Sequence, residues 1–416
     1  MTTTATTATP NNEAVRRLMD AEPVLVGIAP ALEVVPGMTE STVLHSGPPV
    51  TWEEMAGTQR GAVIGAIVLE GLASSHEEAE ALAARGDVEL AAAHDRDSTG
   101  PGTGAISASM AMFVIENRTH GNRSTCPLQD IQFAFGANDA DTLARLRWLA
   151  EVLGPAWGEA VERAGGIELG RIAEKALLMG DEGHDRVVAA SALFTRELLP
   201  HMVRLGLPEE RLGEICDYLA TDIMADWTFE SPWIGACKAI LDAGHGVDGS
   251  SVVTTMTTNG ALFGIRVSGL GDRWFTAPAP ALDGVLFEGF GPDDALAAMG
   301  DSIIIDTCGF GASAFAAAPA QVESQIVSGR HEDAVRLTRD MYRITVAQHE
   351  RYKLPLDGLT GIPTGIDARR VVETGVRPFM AAGIGHREPG KGFIGLGIGE
   401  APMECFEEAL AALDEG

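Results

Sequence analysis

The chain has 416 residues, enough for two or three domains, and a formal charge of −29, because 59 aspartates and glutamates outnumber 30 lysines and arginines. A charge of this size opposes nonspecific binding to nucleic acid or to an anionic membrane, so we expect neither as a partner, and an anionic ligand would need a local positive pocket. The five cysteines are widely spaced and include no CxxC pair, which indicates reduced thiols and no structural zinc.

The N-terminal segment carries no recognisable secretion signal. Residues 1–20 begin with a threonine-rich stretch that has neither a basic start nor an apolar centre, so we predict a disordered tail and a cytoplasmic protein. An apolar strand at 23–28, followed by a segment rich in glycine and proline, predicts an N-terminal α/β domain over residues 21–136.

A polar loop follows the next clear strand. Residues 110–115 are apolar, whereas residues 116–123 are all polar or glycine. Because a strand holds such a loop in position, we predict that His120 transfers protons and that Asn122 and Arg123 bind substrate. The alternative is an ordinary solvated turn.

Helical spacing replaces strands over residues 137–244, which we predict to form a small all-helical domain. One junction between its helices contains Asp181, Glu182, His184 and Arg186. This group allows three interpretations: metal ligands, an acid/base pair in an organic active site, or helix capping with internal ion pairs. We predict no metal site, assign Asp181 and His184 to catalysis, and assign Arg186 to substrate binding.

Residues 245–416 should form a C-terminal α/β domain that contains a three-stranded β-meander. The predicted strands are 252–256, 262–268 and 273–276, because they show apolar or alternating patterns. The Asn-Gly pair at Asn259 supplies the tight turn between the first two strands.

The second turn of the meander determines which side chains share a face. If a four-residue loop joins the strands, Ser268 faces Arg273 and Arg266 faces Phe275, which puts both arginines on one face, roughly 6 to 8 Å apart. Trp274 would then lie on the opposite, core face. Two guanidinium groups on one face suit a carboxylate or a phosphate.

The meander therefore supplies most of the predicted site. We assign substrate binding to Arg266, Ser268, Asp272 and Arg273, and polarisation of a substrate carbonyl to Asn259. The alternative is a solvated sheet face on which Asp272 pairs with an arginine.

A glycine pattern follows a predicted buried strand at 302–306. Residues 309–314 match Gly-X-Gly-X-X-Ala, but the residues that follow look helical and do not supply the second strand of a dinucleotide-binding unit. We therefore predict no cofactor. The helix N-terminus after Gly311 would still offer free amides to an anion.

Several long strings resemble one bacterial family that has long been catalogued as a domain of unknown function. They are GIAPA at 27–31, GPP at 47–49, THGNR at 119–123, GDE at 180–182 and RVSGLGDRW at 266–274. The resemblance covers nearly the whole chain after about residue 20. One branch of this family is the larger subunit of an oxamate carbamoyltransferase of anaerobic allantoin use.

The resemblance implies an α+β fold with two α/β-type domains and a small all-helical domain between them. It also implies phosphorolysis of oxalurate, a ureido acid, to oxamate and carbamoyl phosphate. Because that branch works beside an FdrA-like subunit and a third subunit, the resemblance implies such partners here, and we expect self-association as well. Two alternatives remain: a noncatalytic metabolite-binding subunit of an FdrA-type complex, and a transferase for another carbamoyl or acyl donor.

The candidate residues suit such a reaction. Attack of phosphate on a ureido carbonyl passes through a tetrahedral oxyanion, which needs cationic or amide donors, and the departing nitrogen needs a proton donor. Arg266 and Arg273 would hold anions, Asn259 or Asn122 would polarise the carbonyl, and a histidine would carry the proton.

Overall fold

The structure is a computed structural model that describes residues 9–128, 130–325, 329–356 and 358–415. Its helices are α1 (Pro10–Met19), α2 (Ala31–Val34), α3 (Gly57–Leu69), α4 (His76–Arg85), α5 (Ile131–Ala134), α6 (Ala140–Trp148), α7 (Gly154–Ala164), α8 (Leu169–Leu178), α9 (Val188–Met202), α10 (Glu209–Thr221), α11 (Glu230–Ala243), α12 (Ile304–Cys308), α13 (Pro319–Gln325), α14 (His331–Ile344), α15 (Ala368–Thr374) and α16 (Met403–Glu415). Its strands are β1 (Pro23–Pro30), β2 (Thr42–His45), β3 (Glu89–Ala92), β4 (Ala111–Asn117), β5 (Arg123–Pro127), β6 (Ile167–Glu168), β7 (Val253–Asn259), β8 (Leu262–Val267), β9 (Phe275–Pro278), β10 (Asp283–Leu286), β11 (Met299–Gly300), β12 (Thr345–Lys353), β13 (Gly361–Ile366), β14 (Phe379–Gly385) and β15 (Phe393–Glu400).

The N-terminal part is built on an antiparallel sheet with the strand order β5-β4-β1-β6. Helix α7 packs on β1, and α11 packs on β4 and β5. A side chain at Gly235 of α11 would lie 2.6 Å from Ile115 of β4, so glycine allows the helix to approach the sheet closely. Asn122 and Ser124 then donate hydrogen bonds to main-chain carbonyls of α11. These bonds hold the polar loop of residues 116–123 beside the second half of the helix.

The stretch from α6 to α11 is helical apart from the two-residue strand β6, as the helical spacing predicts. Its apolar side chains join the largest hydrophobic core, which also includes the N-terminal sheet and residues beyond 300. The boundaries of the three predicted domains remain a prediction. The combination of these helices with several small sheets confirms the α+β fold class.

The predicted meander is present as β7, β8 and β9, with β11 pairing on the far side of β7. Its second register is one residue away from the predicted one, because Ile265 and not Arg266 pairs with Phe275. Strand β8 ends at Val267, before Ser268. The Ser268 hydroxyl donates a hydrogen bond to the carbonyl of Gly244, and the chain enters a short 3₁₀ turn at this residue. The prediction that Arg266 and Arg273 share a face is therefore wrong.

Part of the predicted disordered tail is ordered. Helix α1 has the Thr9 side chain as its N-cap and buries Ala14, Val15 and Leu18. Asn11 also donates hydrogen bonds to Ser251 and Asp367 in the C-terminal part. The prediction failed because these partners lie more than 200 positions away in the chain. Residues 1–8 lie outside the described residues.

The predicted strand at 302–306 is also wrong. The chain forms a 3₁₀ turn at Asp301–Ile303 and then helix α12, all of it buried. Beyond Gly311, the amide of Ala312 donates to Oδ1 of Asp306 at 2.7 Å. A side chain of the protein itself therefore occupies the amide that we expected an external anion to use.

In the described ranges, none of the helices combines the length and the apolar character needed to cross a bilayer.

Candidate functional site

A polar cleft opens where the 3₁₀ turn after β3, the end of α11 and the meander meet. It has two lobes, which share His94, Asp97, Arg266 and Asp272. The lysine lobe, of about 290 Å³, is lined in addition by Asn122, Arg123, Lys238, Asp242, His245 and Thr255. The tryptophan lobe, of about 320 Å³, is lined in addition by Asp95 and Trp274.

Arg266 on β8 stands between the two lobes. Its guanidinium carbon lies 4.2 Å from the centroid of the Trp274 ring, and only 9% of its side chain is exposed. It forms ion pairs with Asp95 and, at 3.8 Å, with Asp272. Asp272 is 87% exposed, so this carboxylate can leave the arginine at little cost when a ligand anion takes its place. The cation is fixed, and its partner is exchangeable.

The lysine lobe holds a second buried cation. Lys238 of α11 lies 2.8 Å from Asp242, one turn further along the helix, and 3% of the lysine side chain is exposed. The cleft therefore contains two buried cations with carboxylate partners.

His245 lies just after α11, at the wall of the lysine lobe. Its Nδ1 is 3.1 Å from the hydroxyl of Thr254, and its Nε2 is 3.4 Å from Oδ1 of Asp272. Burial lowers the pKa of His245, although Asp242 and Asp272 act in the opposite direction. The ring is therefore neutral at pH 7 and can accept a proton.

His94 and Asp301 form a buried pair behind the cleft. Nε2 of His94 lies 3.4 Å from Oδ1 of Asp301, and both side chains are fully buried. Asp301 also accepts hydrogen bonds from the amides of Gly47 and Gly100 and from the hydroxyl of Thr257. Burial by itself would raise the pKa of Asp301, but His94 and these donors hold it below the usual value. The carboxylate is thus ionised beside the imidazole.

Four of the predicted site residues line the cleft: Arg266, Asp272, Asn122 and Arg123. Nδ2 of Asn122 donates to the carbonyl of Ala239 at 2.8 Å. Arg123 is mostly exposed and pairs with Glu116 at 2.6 Å. The loop that carries Asn122 and Arg123 therefore reaches the cleft, where Arg123 already has a partner, and their role in substrate binding stays a prediction.

Other predicted residues lie elsewhere. Nε2 of His120 lies 3.1 Å from the carbonyl of Arg17 at the surface, next to α1. Asn259 is fully buried and uses both ends of its amide in the hairpin turn, donating to Pro48 and accepting from two amides. Arg273 is exposed, with its guanidinium 4.8 Å from the ring centroid of Phe275.

Ser268 is also committed, because its hydroxyl donates to Gly244 at 2.6 Å and accepts from the amide of Val247. None of His120, Asn259, Ser268 or Arg273 lines either lobe.

The junction lies inside the protein from Asp181 to Asp185, whereas Arg186 is exposed, donates from Nε to the carbonyl of Gly180 and lines neither lobe. His184 places Nδ1 2.8 Å from Oδ2 of Asp306, and both side chains are buried. Burial alone would lower the pKa of His184, but Asp306 and Asp185 raise it to about 10. Protonated His184 therefore forms a buried ion pair and does not act as a proton donor in the cleft.

The other residues of this junction organise its backbone. Asp181 accepts a hydrogen bond from the amide of Ala190 in the first turn of α9, and burial raises the pKa of Asp181 to about 6. The carboxylate of Glu182 accepts the amides of His184 and Arg186. Among the described residues, no three histidines, cysteines or acids are grouped as metal ligands. Of the three interpretations, capping with internal ion pairs fits this geometry.

The sequence reasoning missed six residues of the lysine lobe: His94, Asp97, Lys238, Asp242, His245 and Thr255. One signal was available, since Lys238 and Asp242 stand at i and i+4 in an otherwise apolar helix. A charged pair inside a buried helix is rarely present without a role in binding or catalysis.

The fold and the cleft define an α+β protein with a polar cleft that is lined by two buried cations and several aspartates. A family model described as oxamate carbamoyltransferase subunit AllG matches residues 88–302. The chain is 40% identical to the oxamate carbamoyltransferase subunit AllG of Escherichia coli K12, over 97% of each chain. The chain therefore belongs to the AllG family, which confirms the resemblance seen in the sequence.

Two further relatives have no known function. The uncharacterized protein YahG of Escherichia coli K12 is 41% identical over 97% of this chain and 85% of its own length. A crystal structure of a conserved protein of unknown function from Enterococcus faecalis V583 superposes with a TM-score of 0.93 at 42% identity, covering 98% of this chain and 97% of that chain.

Proposed function

We propose that this chain is a carbamoyltransferase subunit that binds oxalurate and phosphate in the cleft and forms oxamate and carbamoyl phosphate. The proposal rests on one observation above all: in a chain with a formal charge of −29, two buried cations, Lys238 and Arg266, line one cleft with the neutral imidazole of His245. Membership of the AllG family supports the choice of reaction.

The ion pairs in the cleft are compatible with anion binding. Asp95 and Asp272, the partners of Arg266, have side chains that are 39% and 87% exposed, so water can solvate them once an anion displaces them. The cations remain desolvated by the walls of the cleft, and a charge-assisted hydrogen bond is strongest in such an environment.

The reaction needs one proton to move. An oxygen of hydrogen phosphate attacks the ureido carbonyl carbon, and the carbonyl oxygen becomes an oxyanion that Arg266 or Lys238 stabilises. His245 takes the phosphate proton and gives it to the oxamate nitrogen as the carbon–nitrogen bond breaks. One dianion and one monoanion enter, and one dianion and one monoanion leave, so charge and atoms balance.

The chain would act in the cytoplasm, as part of a heteromeric complex with an FdrA-like subunit and a third subunit. A noncatalytic, metabolite-binding role in the same complex is the second candidate. The observation that favours it is that both cleft cations already have carboxylate partners within the chain.

Carbamoyl phosphate formation from oxalurate and phosphate tests the proposal, with this chain alone and with the products of neighbouring genes. Activity that requires this chain and falls in a His245→Gln variant of the assembled complex supports catalysis here. Full activity of the complex with His245→Gln would move the chemistry to a partner and leave this chain a binding role. No product in any combination would refute this choice of donor.

A further inference from the structure

Three neighbouring side chains at the tryptophan lobe carry buried nitrogen atoms without a hydrogen-bond partner in the described part of the chain. They are Nδ1 of His94, Nε of Arg266 and Nε1 of Trp274, whereas Nε2 of His94 faces Asp301. The rings of His94 and Trp274 pack edge to face with their centroids 5.9 Å apart, and the guanidinium of Arg266 lies over the same indole. The unpartnered nitrogens therefore form one local group.

Buried N–H groups without acceptors destabilise a protein, so a concentration of them beside a cleft points to a ligand that supplies the acceptors. His94 and Arg266 are each more than nine-tenths buried, and both line the tryptophan lobe. The ligand group that fits them carries several oxygen acceptors.

The same lobe is rich in carboxylates, which restricts the ligand further. Asp95, Asp97 and Asp272 line it, whereas Arg266 is its one lysine or arginine within the described chain. These acids repel a phosphate dianion but accept hydrogen bonds from N–H groups. The lysine lobe also has three aspartates, Asp97, Asp242 and Asp272, but it adds Lys238 and Arg123 to Arg266, so its three acids are balanced by three cations. A monoanion that carries both carbonyl oxygens and an amide nitrogen satisfies both the donors and the acids of the tryptophan lobe.

We infer that the tryptophan lobe binds the amide-and-carboxylate end of the substrate, the part released as oxamate, and that the lysine lobe binds phosphate. This inference rests on the proposed function. The shared residues His94 and Arg266 then lie at the boundary between the two substrates, where the carbamoyl group passes from nitrogen to oxygen. Arg266 serves both anions, and Trp274 is the residue specific to the oxamate side.

Calorimetric titration of the full-length chain with oxamate alone and with inorganic phosphate alone tests the division. Trp274→Phe keeps an aromatic face for Arg266 but removes the Nε1–H donor. We expect its oxamate affinity to fall by about 10- to 150-fold, the loss typical of one hydrogen bond to a charged group, and its phosphate affinity to stay within about twofold. Lys238→Met is the matched control, with the opposite pattern.

The possible outcomes separate this inference from the proposed function. Oxamate that binds the wild-type chain and Trp274→Phe equally well overturns the lobe assignment and leaves the carbamoyltransferase proposal standing. Phosphate binding without any oxamate binding refutes oxamate as the product released here, and the lobe assignment with it. A measurement on the wild-type chain tests the lobe assignment without any variant. The indole ¹⁵N–H resonance of Trp274 should shift when oxamate is added and stay in place when phosphate is added.

Discussion

The guanidinium of Arg266 lies over the indole of Trp274, with 4.2 Å between its central carbon and the ring centroid. A planar, delocalised cation makes this contact, whereas an ammonium group is smaller and more strongly hydrated. The contact fixes one buried cation at the junction of the two lobes while its carboxylate partners remain exposed.

Arg266→Lys should therefore weaken anion binding although it preserves charge. We expect the affinity for oxalurate to fall by about 10- to 150-fold, since a bidentate, charge-assisted contact is lost. Calorimetric titration measures this change. Arg273→Lys is the control, because Arg273 is exposed on the opposite face of the meander and should bind normally. An unchanged affinity in Arg266→Lys would show that charge alone matters and that the planar guanidinium does not.

His245→Gln should lower the rate of carbamoyl transfer by about 10²- to 10⁴-fold, with a much smaller effect on ligand binding. Because burial lowers the pKa of His245, the wild-type rate should be constant near pH 7 and fall as acid protonates the ring. The variant should lose this acidic limb. His120→Gln, at the surface beside α1, should keep both the rate and the pH profile. A normal rate in His245→Gln would exclude His245 as the proton carrier.

His184→Gln should lower the stability of the fold without changing the geometry of the cleft. Removing one partner of a buried ion pair costs about 3 to 5 kcal/mol. Since the pKa of His184 is raised to about 10, the pair stabilises the fold fully below the unfolded value near 6.5 and loses this contribution as pH rises toward 10. Denaturant melts from pH 7 to 10 should show this decline in the wild type and not in the variant. The exposed His76→Gln serves as the control, and a variant with wild-type melts would contradict the buried pair.

The stability of the Glu230→Gln variant should increase relative to that of the wild type as pH rises. Burial raises the pKa of Glu230 to about 7, and His184 only partly offsets this. The folded chain therefore binds more protons than the unfolded chain between about pH 4.5 and 7, and stability falls across that window by up to about 3 kcal/mol. From pH 5 to pH 8, the Tm of the variant should rise relative to the Tm of the wild type. The exposed Glu159→Gln should show no such trend, and a flat difference for Glu230→Gln would refute the shift.

Metal analysis of the purified chain should find no stoichiometric transition metal. The carboxylate of Glu182 accepts two amides, His184 faces Asp306, and Asp181 accepts the amide of Ala190. A metal would have to displace all of these contacts. About one zinc or manganese ion per chain would overturn this prediction.

Local patterns accounted for the meander and for the helical stretch, because an Asn-Gly turn and apolar periodicity act over a few residues. The register of β9 depended on a hydrogen bond from Ser268 to Gly244, 24 positions earlier, which no local pattern contains. Local strand patterning predicted Arg266 as a site residue, but no local pattern predicted Lys238 or His245. They meet Arg266 only after α11 has packed on the N-terminal sheet.

Asp301 links distant parts of the chain, since its carboxylate accepts a hydrogen bond from the amide of Gly47, 254 positions earlier. This link has a consequence for biosynthesis. The ribosome synthesises Gly47 and His94 long before Asp301, so the amides of Gly47 and Gly100 stay hydrogen-bonded to water until that carboxylate has been made. The buried pair of His94 and Asp301 behind the cleft therefore forms only in chains whose synthesis has passed residue 301.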